Sequence, residues 1–160
     1  LSIDQTAALT MTALSPYAEL SCILTSDQGT VASGDFVAVN WTNATRTLTG
    51  LSWSSGNPTR LTVSTGYGGY YDIEGLVAWD ASSAGQRYAA LFINGTIKRQ
   101  SRPQNALVSA VCILQVVFKG RLAAGDYIEL MGYQDSGADR TYKAASSGAQ
   151  VSLSGVRLFV

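Results

Sequence analysis

The side chains here that can carry chemistry are carboxylates, two thiols and aromatic rings, because the sequence contains no histidine. That absence removes the Ser-His-Asp and Cys-His arrangements, the HExxH zinc motif and imidazole general-base catalysis. Asp72 and Glu74 lie at i and i+2 on one strand face, and Asp135 and Asp139 share one turn. Either pair is formally a glycoside-hydrolysis couple. Carboxylates two apart on a strand are more often a solvated or interface face, so no catalytic residue is expected. The turn carrying Asp135 and Asp139 offers oxygens to a hard cation but lacks the ligand count of a dedicated calcium loop. These two are the candidate metal ligands, against an expectation of no metal and no cofactor. No glycine-rich stretch follows a strand and opens a helix, so there is no phosphate cradle.

Cys22 and Cys112 sit far apart in apolar, alternating runs. They read as buried free thiols, with one long-range disulfide in oxidising surroundings as the alternative. Trp53, Tyr67, Tyr70 and Tyr142 are candidates for stacking on sugar rings, a use that competes at each position with a place in the core or a subunit interface. Sequons at Asn40, Asn43 and Asn94 would matter only in a glycosylating pathway.

The elements that must position these groups are strands. From Gly69 to Trp79, Tyr71, Ile73, Gly75, Val77 and Trp79 alternate with Tyr70, Asp72, Glu74, Leu76 and Ala78, which separates an apolar face from a mixed one. A second alternating run, Arg87 to Asn94, ends in Asn94-Gly95, the dipeptide of a type I′ hairpin turn, and Ile97 to Arg99 should fold back on it. Further alternating runs lie at Tyr17–Thr25, Asp35–Thr42, Ala44–Leu51, Arg60–Val63 and Asp126–Gln134, with a weaker one at Gln150–Leu153 and a terminal one at Val156–Val160. Trp53–Pro58 reads as a loop. With no convincing 3.6-residue period anywhere, the fold class is all-β, a two-sheet antiparallel sandwich.

Ala106–Phe118 departs from alternation, since only Ser109 and Gln115 interrupt an apolar series. A strand apolar on both sides needs both sides covered, by the domain's own core and by a second copy of the chain. A strand buried twice within one domain is the alternative, but 160 residues leave little chain for a third layer.

That length suits one domain, read as residues 17–160, preceded by an arm at 1–16 that leads to another domain or packs on a partner. Opening on Leu1 rather than Met reads as processing or fragmentation. Eleven basic and eleven acidic residues cancel, so neither nucleic acid nor an anionic membrane is an expected partner. The one basic cluster, Lys98, Arg99 and Arg102, reads as a charged sheet edge that discourages aggregation. No run of about 18 apolar residues is long enough to span a bilayer as a helix.

Four segments, Leu24–Trp41, Trp53–Val63, Gly69–Thr96 and Leu122–Gly137, carry a family likeness. The Gly69-Tyr70-Tyr71 strand start, the Val77-Ala78-Trp79 strand end, the Asn94-Gly95 hairpin and Leu122-Ala123-Ala124-Gly125-Asp126 occur in the order seen there. Together, over about Glu19–Val160, they resemble the complement component 1q/tumour-necrosis-factor-like jelly rolls, most closely those of bacteriophage structural proteins. The resemblance implies a ten-strand jelly roll forming a compact homotrimer. Ala18–Leu24, Gly69–Trp79, Ala106–Phe118 and Val156–Val160 would lie in the inner sheet facing the three-fold axis. Tyr71, Gln115, Val117 and Leu158 are then the expected trimer-facing residues. No collagen-like stalk precedes the domain, so the mammalian members are poor functional guides.

The expected function is a non-enzymatic virion component, the trimeric knob of a tail or head fibre. The arm would join other virion proteins and the knob a host-surface glycan or protein, with Trp53, Tyr67 and Tyr142 as candidate ligand contacts. A capsid decoration protein of the same fold is the alternative, and a fibre-tip polysaccharide hydrolase is the alternative of another class.

Overall fold

A period of two runs through most of the chain, and a computed structural model, which describes residues 17–144 and 150–159, shows it realised as fourteen strands in two antiparallel sheets. In chain order these are β1 (Glu19–Leu24), β2 (Gln28–Val31), β3 (Phe36–Ala38), β4 (Ala44–Thr49), β5 (Leu51–Ser54), β6 (Asn57–Val63) and β7 (Gly69–Trp79). There follow β8 (Gln86–Ile93), β9 (Thr96–Gln100), β10 (Gln104–Asn105), β11 (Cys112–Leu122), β12 (Tyr127–Gln134), β13 (Arg140–Tyr142) and β14 (Ser152–Phe159). The arm expected at 1–16 lies outside the described residues.

One sheet runs β2-β13-β7-β14-β1-β4, with β11 along the other side of β7; the second runs β10-β8-β12-β6-β5, with β3 on β12 and β9 on β8. The four segments expected to share an inner sheet do meet in the first, as β1, β7, β11 and β14. Ten strands become fourteen because short pieces such as β10, β13 and β3 pair separately.

Three segments differ from expectation for local reasons. The strand expected at Ala106–Phe118 is β11, shifted to Cys112–Leu122, because its length is set by its partner: Cys112 pairs Trp79 and Leu122 pairs Gly69, the two ends of β7. Leu107 and Val108, beyond that end, are exposed. Within β11 burial alternates, so the strand is covered on one side only in the single chain. Trp53–Pro58 is no loop but the tip of the β5–β6 hairpin; Pro58 is tolerated because β6 meets β12 only farther along, at Leu61 and Thr62. The C-terminal runs fuse into β14, held between β7 and β1.

The hairpin at Asn94-Gly95 forms as expected, with φ of 51° and 72°. Asn94 is tied at both ends: Nδ2 donates to Asp126 Oδ1 at 2.7 Å, and Oδ1 accepts from the Tyr127 amide at 2.9 Å. At the sheet's margin β9 leaves all five residues exposed, Lys98 and Arg99 among them, the charged edge anticipated from composition.

Between the sheets, Leu20, Cys22, Leu24, Tyr71, Ile73, Val77, Trp79, Leu114 and Val116 face Leu61, Leu91, Ile128 and Leu130 in one buried cluster. The two layers interlock over glycine. A Cβ on Gly132 of β12 would lie 2.5 Å from the Trp79 ring and 2.7 Å from the Tyr142 hydroxyl, and one on Gly75 of β7 would lie 2.6 Å from Leu130. Tyr142 crosses from the first sheet to the second: its hydroxyl accepts from the Gly132 amide at 2.8 Å and donates to the Val37 carbonyl.

Cys22 and Cys112 are both buried and free, so of the two readings the thiols stand and the disulfide falls. Burial pushes the Cys22 thiol up to about 12, with Arg46 opposing, and raises Cys112, Tyr71 and Tyr142 as well.

Three outcomes are expected of the isolated protein. Gly132→Ala should destabilise it by about 1–3 kcal/mol, since neither Trp79 nor Tyr142 has room to move, read as a shifted denaturant midpoint. The folded Cys22 thiol holds its proton more tightly than an unfolded one. Its contribution is therefore complete below about pH 8.5 and is lost as pH rises from there toward 12. Cys22→Ala should flatten that alkaline decline, and neither thiol should react with a disulfide reagent until the chain unfolds.

Candidate functional site

Every second residue of each sheet turns away from the core, and the two outward faces differ in chemistry. On the first sheet the outward row of β11 is Ile113, Gln115, Val117, Lys119 and Arg121, beside Tyr70, Asp72, Glu74 and Leu76 of β7. Ile113 is 45% exposed and Val117 38% on β11, which among the described residues pairs only with β7, and Leu158 is 49% exposed near the end of β14. Half-buried Leu76, Val156 and Ile23 continue the patch among small residues, Ser152, Ser154, Ser21 and Thr47. Gln115 Nε2 donates to Glu74 Oε1 at 2.7 Å and Lys119 pairs with Asp72. Each such exposed pair contributes less than about 1 kcal/mol; Lys119 offsets the charge of Asp72, while Glu74, bonded to a neutral carboxamide, keeps its negative charge on the face.

The second sheet's outward face is aromatic. Strand parity turns Tyr88 and Phe92 of β8, Tyr133 of β12 and Phe36 of β3 the same way, and register places Tyr133 directly opposite both Tyr88 and Phe36. Tyr88 meets Tyr133 edge to face at 5.4 Å, Phe36 lies 5.3 Å from Tyr133, and Phe92 meets Phe36 at 5.4 Å. These rings are only half-buried. Phe36, Tyr88 and Tyr133 line an open depression of about 240 Å³, rimmed by Gln100 of β9 and Asp135 at the end of β12. Asp135 Oδ1 accepts the Gln86 amide, which holds the carboxylate at the rim, and the Tyr88 hydroxyl donates to Gln86 Oε1 at 3.0 Å. Farther along the face the chemistry turns ionic: buried Glu129 accepts from Thr59 at 2.8 Å and Arg60 at 3.3 Å, and the Arg60 guanidinium lies over the Tyr127 ring.

Behind the depression, inward-facing Arg87 is fully buried with its guanidinium 5.6 Å from the centre of the Trp79 ring. Nη1 donates to the Gln86 carbonyl, while Nε and Nη2 find no partner among the described residues. Burial lowers its pKa, opposed by the nearby carboxylates of Asp80 and Asp135.

The residues singled out in the sequence are dispersed. Of the trimer-facing set, Gln115, Val117 and Leu158 lie outward on the first sheet, but Tyr71 does not. It has the inward parity of β7, is fully buried, and donates its hydroxyl to the Tyr67 carbonyl at 2.6 Å. Among the ring-stacking candidates, Tyr142 is also fully buried, its hydroxyl engaged by Gly132 and Val37. Trp53 carries the Arg46 guanidinium 3.8 Å over its ring and donates Nε1 to the Pro58 carbonyl at 2.9 Å. Tyr67 is seated over Gly50 and packs on the core. Tyr70 is half-buried opposite Arg121. Asp72 and Glu74 are occupied by Lys119 and Gln115. Asp135 sits at the aromatic depression and Asp139 is exposed on the turn; among the described residues no three His, Cys, Asp or Glu side chains converge.

The aromatic cluster was missed because its members come from three strands distant in sequence. The available signal was parity: Phe36, Tyr88, Phe92 and Tyr133 all occupy the alternate positions opposite the core set.

No protein-family model matches the sequence, and no curated protein does. Solved structures do match in shape. Murine APRIL superposes with a TM-score of 0.59 at 16% identity, over 89% of this chain and 99% of that one. Eiger TNF from S. frugiperda gives 0.60 at 12%, over 89% and 93%. The PRD1 vertex protein P5 gives 0.59 at 13%, over 89% of this chain and 73% of that one. Identities this low speak to fold alone, and with the two-sheet topology above they agree on one answer: the chain folds as a two-sheet antiparallel jelly roll like those of these tumour-necrosis-factor-like structures.

Proposed function

We propose that the chain is a non-enzymatic structural module of a phage virion. It associates as a homotrimer through the outward face of its first sheet and presents the second sheet to the host surface as an adhesive knob. The observation that carries the reading is the exposure of Ile113, Val117 and Leu158, large apolar side chains on the outward face of the very sheet that the family resemblance turns toward a three-fold axis. Burying such side chains between copies contributes roughly 25 cal/mol per Å² of apolar surface, and the Asp72–Lys119 pair carries no net charge into the interface. The PRD1 vertex protein P5 among the structural neighbours supports a phage setting and favours mounting on the capsid surface over a tail fibre. Residues 1–16 would make the attachment. A hydrolase reading finds less support, because Asp72 and Glu74 are each engaged in a surface pair.

Three copies raise weak single-site binding through effective concentration, so adhesion needs only modest contacts per chain. The full chain at micromolar concentration should sediment as a trimer. Val117→Glu sets a carboxylate directly opposite Glu74 and should yield folded monomer; an unchanged trimer would remove this face from the interface. Antibody labelling of intact particles should decorate the capsid surface, and label confined to tail fibres would overturn the capsid placement.

A further inference from the structure

The depression on the second sheet is a binding site, and we infer that its ligand is a single neutral pyranose ring of a glycan. Three features select that chemistry. At about 240 Å³ the depression is smaller than the roughly 300–1,000 Å³ of clefts that enclose drug-sized molecules, and matches one ring rather than an extended ligand. Phe36, Tyr88 and Tyr133 are half-buried, so each presents part of an apolar ring surface on which sugar C–H groups can lie. The rim then supplies what hydroxyls need. The Asp135 carboxylate has one oxygen fixed by the Gln86 amide and accepts no second hydrogen bond from a described residue. The exposed Gln100 carboxamide both donates and accepts.

Charge narrows the choice further. The side chains lining the depression include one carboxylate and no cation, which disfavours sialic or uronic acids. A quaternary ammonium would suit rings and a carboxylate, but it binds best where ring faces enclose it; here the depression is open and Tyr88 meets Tyr133 edge to face. The wall is built to hold its shape, since Tyr133 is braced by Tyr88 on one side and Phe36 on the other and the Tyr88 hydroxyl is anchored to Gln86.

The inference rests on the adhesion reading for its biological role, and its test separates the two. The full chain is titrated with methyl glycosides of glucose, galactose and N-acetylglucosamine, with tetramethylammonium and glucuronate as comparison ligands, following saturation transfer to the sugar protons. At least one neutral glycoside should saturate, weakly, with a dissociation constant of about 1 mM or above. Tyr88→Ala and Asp135→Asn should each weaken it about tenfold, while Tyr88→Phe, which keeps the ring but loses the bond to Gln86, should bind more weakly than the parent and more tightly than Tyr88→Ala. Saturation by tetramethylammonium or glucuronate alone, by no ligand, or equally by all variants would overturn the site. Saturable glycoside binding by a chain that fails to attach to host cells would sustain the site and sink adhesion; attachment without glycoside binding would sink the site alone.

Discussion

The sandwich is held in register by a phenol. Tyr142 lies on a three-residue strand of the first sheet, yet its hydroxyl is bonded to the backbone of two strands of the second, at Gly132 and Val37. The reach is possible only because Gly132 has no side chain, and the same vacancy admits the edge of Trp79, which stacks edge to face on Tyr142 at 4.8 Å. Leaving the Gly132 amide or the Val37 carbonyl buried without that partner would cost on the order of 1–3 kcal/mol each. The contact also sets parity. With Gly132 turned inward, Tyr133 must turn outward, opposite Tyr88 and Phe36.

The core packing therefore determines what each outer surface displays. The first sheet shows aliphatic side chains among serines and threonines, with Asp72 paired to Lys119, a surface suited to another copy of itself. The second shows half-buried rings, a carboxylate and a carboxamide, suited to a small polar ligand with an apolar face. Association on one side and recognition on the other need not compete for area. Arg87 stands between them, its buried positive charge near the carboxylate of Asp135. Such an interior charge costs free energy, and the Trp79 ring and the carboxylates of Asp80 and Asp135 offset only part of it.

Much of this was legible in the chain. A period of two announced an all-β sandwich, Asn94-Gly95 announced its hairpin, and the grouping of β1, β7, β11 and β14 followed the family resemblance. What sequence lacks is lateral information. Tyr71 and Tyr70 are neighbours with opposite fates, and the inward alternation of Ile73 and Val77 already assigned Tyr71 to the core. Tyr142 follows an exposed turn and looks like a surface ring; only the glycine across the sandwich shows otherwise. The apolar run beginning at Ala106 suggested a strand covered twice, whereas its first residues lie beyond the end of β7 and have no partner strand. The aromatic depression depends on three strands meeting in register, which no local pattern reveals.

One feature of the hairpin bears on how long the molecule can last. An Asn-Gly pair is the dipeptide most prone to spontaneous deamidation, because the unhindered glycine nitrogen attacks the asparagine side chain to close a succinimide ring. In this fold the Asn94 carboxamide is clamped through both its oxygen and its nitrogen to the strand that begins at Tyr127 and to Asp126 just before it. Ring closure would require breaking both bonds and rotating the side chain within a tight turn. The bond in this sequence most exposed to chemical ageing is thus shielded by the contacts that shape the turn, an arrangement suited to a protein that must persist without being resynthesised.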